Sequence, residues 1–243
     1  MTARRSAILT YHSLDDSGSV ISTPPERFRR QMEFLASSSV PVVTLDEALR
    51  HPNAVAITFD DGFRNLLDHA VPVLERLRLP ATFFVISGYC GGTNNWPSQP
   101  SGVPGLPLMD WGELSSLPPW ISIGAHTETH PHLTALSDAE CERELRACQD
   151  QIEQRLGRRT RWLAYPYGSR SASVKQAAGR HFDLAVGTSL AFLSSRSCPL
   201  DLPRIDAYYL RGRFTLERLL RPSGALYIGL RRVLRKARDF NSS

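Results

Sequence analysis

The chain has 243 residues, 42% of them hydrophobic and 22% charged, with a formal net charge of +5. This balance gives room for a sizeable core and excludes a disordered or collagen-like chain. No apolar run approaches the ~20 residues of a membrane-spanning helix, and Ala7-Ile8-Leu9 behind the basic N-terminus is too short for a signal-peptide core, so a cytoplasmic location is expected.

Strand and helix signals alternate along the chain. Residues 6–11 predict a strand, and residues 24–36 an amphipathic helix with Phe28, Met32 and Leu35 at helical spacing. A strand is expected over 40–45 and a short helix over 45–50. The β-branched run 54–59 predicts a buried strand stopped by Gly62. Leu66, Leu67, Ala70, Val73, Leu74 and Leu77 form the stripe of a helix over 64–79, which Pro72 kinks or restarts. Residues 81–86 read as an apolar strand. The Gly- and Pro-rich stretch 88–107 reads as a long loop of the kind that binds substrate.

A short helix over 110–117 and a strand over 121–125 follow. Ser137-Asp138-Ala139-Glu140 is a capping box that opens a helix running to Leu156 and closed by Gly157. Strands over 160–165, 182–186 and 205–210, with a helix over 172–178, complete the series. Repeated β-α units predict a parallel sheet closed into a barrel. One domain over 1–222 accounts for them, followed by a basic segment over 223–243.

That segment belongs to a longer basic region holding Arg211, Arg213, Arg218, Arg221, Arg231, Arg232, Arg235, Lys236 and Arg238, against Glu217 and Asp239 as its only acids. No phosphate loop, Cys/His finger or aromatic-basic RNA signature accompanies it, so nucleic acid is not expected as a partner. From 225 to 240, Leu226, Leu230, Val233, Leu234 and Ala237 fall at helical spacing among the cations. Two readings stand: a barrel-closing helix with a solvated basic face, or peripheral docking on an anionic inner-membrane surface. The four cysteines (Cys90, Cys141, Cys148, Cys198) contain no Cys-x-x-Cys pair and are expected to be free.

Two strings carry chemistry. Thr58-Phe59-Asp60-Asp61-Gly62 sets paired carboxylates at a strand end, and His126-Thr127-Glu128-Thr129-His130 sets two imidazoles four residues apart after another strand. If the chain turns helical after His126, both rings share one face. One carboxylate and two imidazoles make a three-ligand set that leaves a divalent metal an open position, and the other carboxylate is free to act as a base. Each string alone is weak, but both end predicted strands, where α/β enzymes place their chemistry. Trp96, in the long loop, reads equally as a sugar-stacking face or as core.

Together with Tyr165-Pro166-Tyr167-Gly168, in this order and at these intervals, the two strings resemble the polysaccharide deacetylase (NodB-homology, carbohydrate esterase family 4) family. Thr44-Leu45-Asp46-Glu47-Ala48-Leu49 and Ala81-Thr82-Phe83-Phe84-Val85 resemble the family's connecting elements, and the likeness covers roughly residues 6–210. The resemblance implies a single distorted (β/α)7 barrel that removes acetyl groups, most often N-acetyl from hexosamines. It implies zinc, or cobalt, nickel or manganese, as the divalent ion. Asp61, His126 and His130 correspond to the metal ligands, Asp60 to the general base, and a backbone N–H near Tyr167 to an oxyanion donor. An N-acetylated sugar or lipid-linked glycan is the implied substrate, with O-acetyl ester hydrolysis or a non-catalytic sugar-binding barrel as alternatives.

Two positions depart from the family pattern. The arginine common two residues before the motif's Pro166 is Ala164 here, and Arg204 is the expected substitute for orienting Asp60. No histidine follows His181, so the usual C-terminal general acid is missing. Tyr11-His12-Ser13 resembles the permuted branch, in which that histidine, here His12, comes from the first strand. First and last strands are neighbours in a closed barrel, so either can serve the same spot.

Overall fold

The computed structural model describes residues 6–211 and 215–241, with residues 236–241 described by backbone alone. Arg213 and the basic N-terminal residues lie outside the described residues, as do the side chains of Lys236, Ala237 and Arg238. Along the chain run β1 (Ala7–Tyr11), β2 (Ser13–Leu14), β3 (Ser22–Thr23), α1 (Pro25–Ser37), α2 (Leu45–Ala48), β4 (Val55–Phe59), α3 (Leu66–His69), α4 (Val71–Leu77) and β5 (Ala81–Val85). There follow α5 (Trp111–Ser115), β6 (Ile121–Ala125), α6 (Asp138–Leu156), β7 (Trp162–Ala164), α7 (Ala172–Ala178), β8 (Leu184–Val186), β9 (Ile205–Asp206), α8 (Leu216–Leu219) and α9 (Pro222–Asn241).

Seven strands form one parallel sheet in the order β8-β7-β6-β5-β4-β1-β9. The segment 202–206 joins its two ends. Leu202 bridges Val186 of β8 in parallel, and three residues later Ile205 pairs with Leu9 of β1. The result is the seven-stranded (β/α)7 barrel that the sequence predicts, with the first and last strands adjacent.

Side-chain parity sorts the strands into two cores. Tyr11, Phe59 and Phe83 face outward and pack with Phe28 of α1 in edge and tilted contacts, with centroids 4.9–5.5 Å apart. Ile8, Ala56, Phe84, Ala164, Leu184, Val186 and Leu202, from strands all round the sheet, form a separate buried cluster that fills the barrel interior. With both faces covered, the strands read as near-continuous apolar runs rather than as alternation. The same parity turns Thr10, Thr58 and Asp60 inward, toward the C-terminal mouth.

Several sequence expectations are corrected. The strand over 40–45 does not form: Val42 makes a single bridge to Val55, and a capping box at Thr44 and Glu47 turns the chain into α2. The strand expected over 205–210 stops at Asp206, whose carboxylate accepts from Tyr208 N–H at 2.8 Å and opens a 3₁₀ turn over Ala207–Leu210. No helix follows His126. The helix expected over 64–79 breaks at Ala70 and restarts with Pro72 in its first turn, as Pro72 foretells.

Gly124 of β6 lets Phe84 lie across the barrel interior, since a Cβ there would sit 2.4 Å from the ring. Gly124→Ala is expected to cost ~1–3 kcal/mol by overpacking, read as a lower urea midpoint at unchanged m-value.

Candidate active site

At the C-terminal mouth lies a cleft of about 480 Å³ whose lining includes His12, Asp60, Asp61, His126, His130, Tyr167 and Arg204. These are all seven of the residues singled out from sequence, and the fold brings them together. Their backbones are shaped for it. Asp61, Thr127, His130 and Tyr167 have φ of 70°, 67°, 60° and 57°, four of the six non-glycine residues with positive φ among those described. Each such conformation costs of order 1–3 kcal/mol, so the strain is concentrated where the functional side chains converge.

The turn between the two histidines therefore does what a helix was expected to do. Thr127 Oγ1 accepts from His130 N–H at 3.1 Å inside the turn. From α6, the Glu144 carboxylate accepts from the N–H groups of Glu128 and Thr129 at 3.0 and 2.9 Å and from the Thr129 hydroxyl at 2.5 Å. Nothing in the sequence marks Glu144 for this clamp, because its α6 position reads as an ordinary exposed helical acid.

The hydrogen bonds fix both imidazole tautomers. His126 Nδ1 lies 2.7 Å from the carbonyl of Ala164, which can only accept, so in the neutral ring Nδ1 carries the proton and Nε2 a lone pair. Tyr167 Oη donates to Ser98 at 2.9–3.0 Å and accepts from Trp96 Nε1–H at 3.0 Å, so it can accept from His130 Nδ1–H at 3.1 Å. His130 then also presents a bare Nε2. The two Nε2 atoms are 3.2 Å apart and lie 3.4 and 3.5 Å from Asp61 Oδ1.

Three buried acceptor atoms thus face one another, an arrangement that repels itself unless a positive charge lies among them. A point equidistant from the three is about 1.9 Å from each, close to the ~2.0–2.2 Å of zinc–nitrogen and zinc–oxygen bonds. The donor set fits a divalent ion of the zinc type. Titration agrees with room for one cation: burial, and then the neighbouring His126, pushes His130 down to about 3. For His126 the burial penalty is outweighed by Asp61 and Asp60, which raise it.

Asp60 is held differently. Burial alone would raise its carboxyl; Arg204, then His126 and His12, more than offset this and hold it below the usual carboxylate range. Arg204, only 3% exposed, donates from Nη1 to Oδ1 at 2.7 Å and from Nη2 to Oδ2 at 2.6 Å, a bidentate pair. Its Nε donates to Gly187 O at 2.9 Å, and its guanidinium lies 5.8 Å from the Phe84 ring centroid. His12 Nε2 stands 3.9 Å from Asp60 Oδ2.

Trp96 is buried against the His130 ring at 4.5 Å and forms a wall of the cleft, while Trp111 packs partly buried on the core. His132 stacks on Tyr167 at 4.1 Å and is no part of the acceptor cluster. The outer rim, with Val20, Ile21, Tyr208, Tyr209 and Arg235, was not legible in sequence. Tyr208 and Tyr209 lay in an expected strand, and Arg235 reaches the rim from α9.

The chain is thus a closed parallel barrel with a buried two-histidine, one-aspartate cluster at its strand ends that could hold a cation beside Asp60. Residues 49–182 match the polysaccharide deacetylase family, and the chain belongs to that family. The poly-β-1,6-N-acetyl-D-glucosamine N-deacetylase of Staphylococcus epidermidis is 26% identical over 167 residues, which are 60% of this chain and 54% of that protein. The enzyme of the same description from Staphylococcus aureus is 25% identical over equal shares. The chain spans only 54–60% of the length of the first curated relatives it matches. Among solved structures, IcaB from Ammonifex degensii superposes with TM-score 0.73 at 22% identity, over 93% of this chain and 97% of that one. The Streptococcus pyogenes deacetylase PplD, in complex with acetate, superposes with TM-score 0.72 at 23% identity, over 84% and 93%. At such identities the likeness is one of fold.

Arg204→Met leaves the buried Asp60 carboxylate without its main partner, a loss of ~3–5 kcal/mol for such pairs. The wild-type carboxyl titrates below its unfolded value of about 3.9, so the pair's stabilisation is complete above that pH and fades as pH falls through the folded value. The stability gap between wild type and Arg204→Met is expected to be widest near neutrality and to narrow below about pH 4, measured by urea unfolding across that range.

Proposed function

We propose that the chain is a metal-dependent deacetylase that removes N-acetyl groups from a hexosamine-containing glycan or glycan precursor. The observation that carries this reading is the convergence of three bare acceptor atoms, from Asp61, His126 and His130, beside a carboxylate kept ionised by Arg204. Family membership supports it, as does the similarity to the staphylococcal poly-β-1,6-N-acetyl-D-glucosamine N-deacetylases.

Asp61, His126 and His130 would hold the ion. Once bound, a divalent ion of this kind polarises an acyl carbonyl and lowers the pKa of water. The remaining work falls to the chain. Asp60 takes the proton of the attacking water; Arg204 fixes both its oxygens, so the carboxylate is ionised and correctly aimed before substrate arrives. His12, on the other side of Asp60 and 21% exposed at its side chain, is placed to give a proton to the leaving amine as the C–N bond breaks and acetate forms. The left-handed backbone at Tyr167 turns the 165–168 loop toward the cleft, where a backbone N–H serves the developing oxyanion. Tyr208 and Tyr209 give the cleft rim aromatic side chains for a sugar ring.

Removal of metal with a chelator is expected to abolish acetate release from N-acetylated oligosaccharide, and zinc, cobalt, nickel or manganese to restore it. Alanine at Asp61, His126 or His130 is expected to lower metal stoichiometry as well as rate. Full activity in a metal-free sample would overturn the assignment. Asp60→Asn and His12→Ala are expected to keep the metal, measured by elemental analysis, and to lose about two to four powers of ten in rate. His12→Ala should also alter the basic limb of the pH–rate profile; near-normal turnover would assign the proton donor elsewhere.

A further inference from the structure

Helix α9 is amphipathic in the reverse sense for an element that only closes a barrel. Its inward face contains Ile228, 3% exposed, with Tyr227, Arg231 and Arg235. Tyr227 Oη donates to Tyr209 O at 2.8 Å, and the Arg231 guanidinium lies 5.4 and 5.8 Å from the ring centroids of Tyr209 and Tyr227. Arg235 Nη1 donates to Thr188 O at 2.8 Å. The opposite face carries Leu226, Leu230, Val233 and Leu234, which are 79%, 60%, 62% and 52% exposed. At i, i+4, i+7 and i+8 they form a single stripe. Cations pack back on the protein and aliphatic side chains face water.

The stripe continues to the active site. Leu234 shares a groove with Tyr208, Tyr209, Arg231 and Arg235. Tyr208, Tyr209 and Arg235 also line the catalytic cleft, whose rim adds Val20 at 61% exposure. A groove of tyrosine, arginine and leucine side chains therefore links the cleft mouth to the exposed aliphatic stripe, and such a stripe marks an interaction site.

Charge selects the occupant. Arg221, just before α9, and Arg232, within it, are exposed, and Asp239 is the only acid in the α9 sequence. Pairing the stripe with that of a second copy would bring like charges together. An anionic bilayer accepts the aliphatic residues below its headgroups, the tyrosines at the interface and the arginines against phosphate. We propose that the outer face of α9 docks on an anionic lipid bilayer and sets the cleft mouth toward a glycan held at that surface. The second half of this statement rests on the deacetylase reading; the docking itself is measured without any turnover.

The test is co-sedimentation of the full chain with vesicles of phosphatidylglycerol and phosphatidylcholine, and with phosphatidylcholine alone. The expected result is pelleting with the anionic vesicles at about 50 mM salt and release at about 500 mM. The double variant Leu230→Glu, Val233→Glu, at exposed positions, is expected to bind more than about tenfold more weakly with an unchanged thermal midpoint. Leu226→Ser, Leu230→Ser provides a second, charge-free variant with the same expected direction. Equal pelleting by wild type and both variants, no binding at low salt, or equal binding to neutral vesicles would overturn the proposal. So would a dimer, seen by light scattering, that the substitutions split while vesicles are ignored; the occupant would then be a second copy. Acetate release from a soluble oligosaccharide, assayed separately, reports on the deacetylase reading alone.

Discussion

The bidentate pair between Arg204 and Asp60 is the contact on which the rest of the site depends. A carboxylate buried to this degree would ordinarily protonate rather than stay charged, and a protonated Asp60 could take no proton from water. Arg204 prevents that, and the chain that delivers it is the same chain that closes the barrel. Leu202 bridges β8, Ile205 pairs with β1, and Arg204 between them points inward to Asp60, just past the end of β4. Closure of the sheet and ionisation of Asp60 are thus one structural event. A register slip of one residue in 202–206 would turn Arg204 out of the barrel and open the sheet's last seam together.

Strain is the second constraint. Asp61, Thr127, His130 and Tyr167 occupy left-handed backbone that non-glycine residues seldom adopt, and each is held there by neighbours. Glu144 ties down the turn from outside, Thr127 ties it from within, and Tyr167 is fixed through Trp96 and Ser98. The left-handed turn reverses the chain between the two histidines so that their Nε2 atoms come within 3.2 Å of each other. In an α-helix, side chains four residues apart lie side by side along one face.

The functional residues were legible because strand parity and strand ends leave strong marks. An apolar run that stops in Asp60-Asp61-Gly62, or in His126, announces both the fold and the position of the chemistry. Arg204 was also reachable, since the absence of an arginine at Ala164 poses a question that only a nearby cation can answer. What could not be read was the geometry between motifs. The i,i+4 spacing of the histidines pointed to a helix, because nothing local records that Glu144, on a distant helix, stabilises a turn instead. Strand lengths failed where a single side chain intervened, as Asp206 does by capping Tyr208 N–H. The rim formed by Tyr208, Tyr209 and Arg235 depends on how α9 returns to the barrel, a tertiary fact with no local signature.

Ala164 shows how the absent motif arginine and Arg204 fit one interior. It is fully buried in the cluster that holds Phe84, beneath the guanidinium of Arg204. Its carbonyl orients His126, a task that any residue's backbone can perform. Its side chain is small, and the Asp60 carboxylate is met at both oxygens by Arg204 instead. A second guanidinium entering from 164 would set its positive charge beside that of Arg204 around one carboxylate, in a buried site where each ion carries a desolvation cost. A small residue at 164 and an arginine at 204 are therefore compatible in one interior, with the guanidinium reaching Asp60 from the segment that closes the barrel rather than from β7.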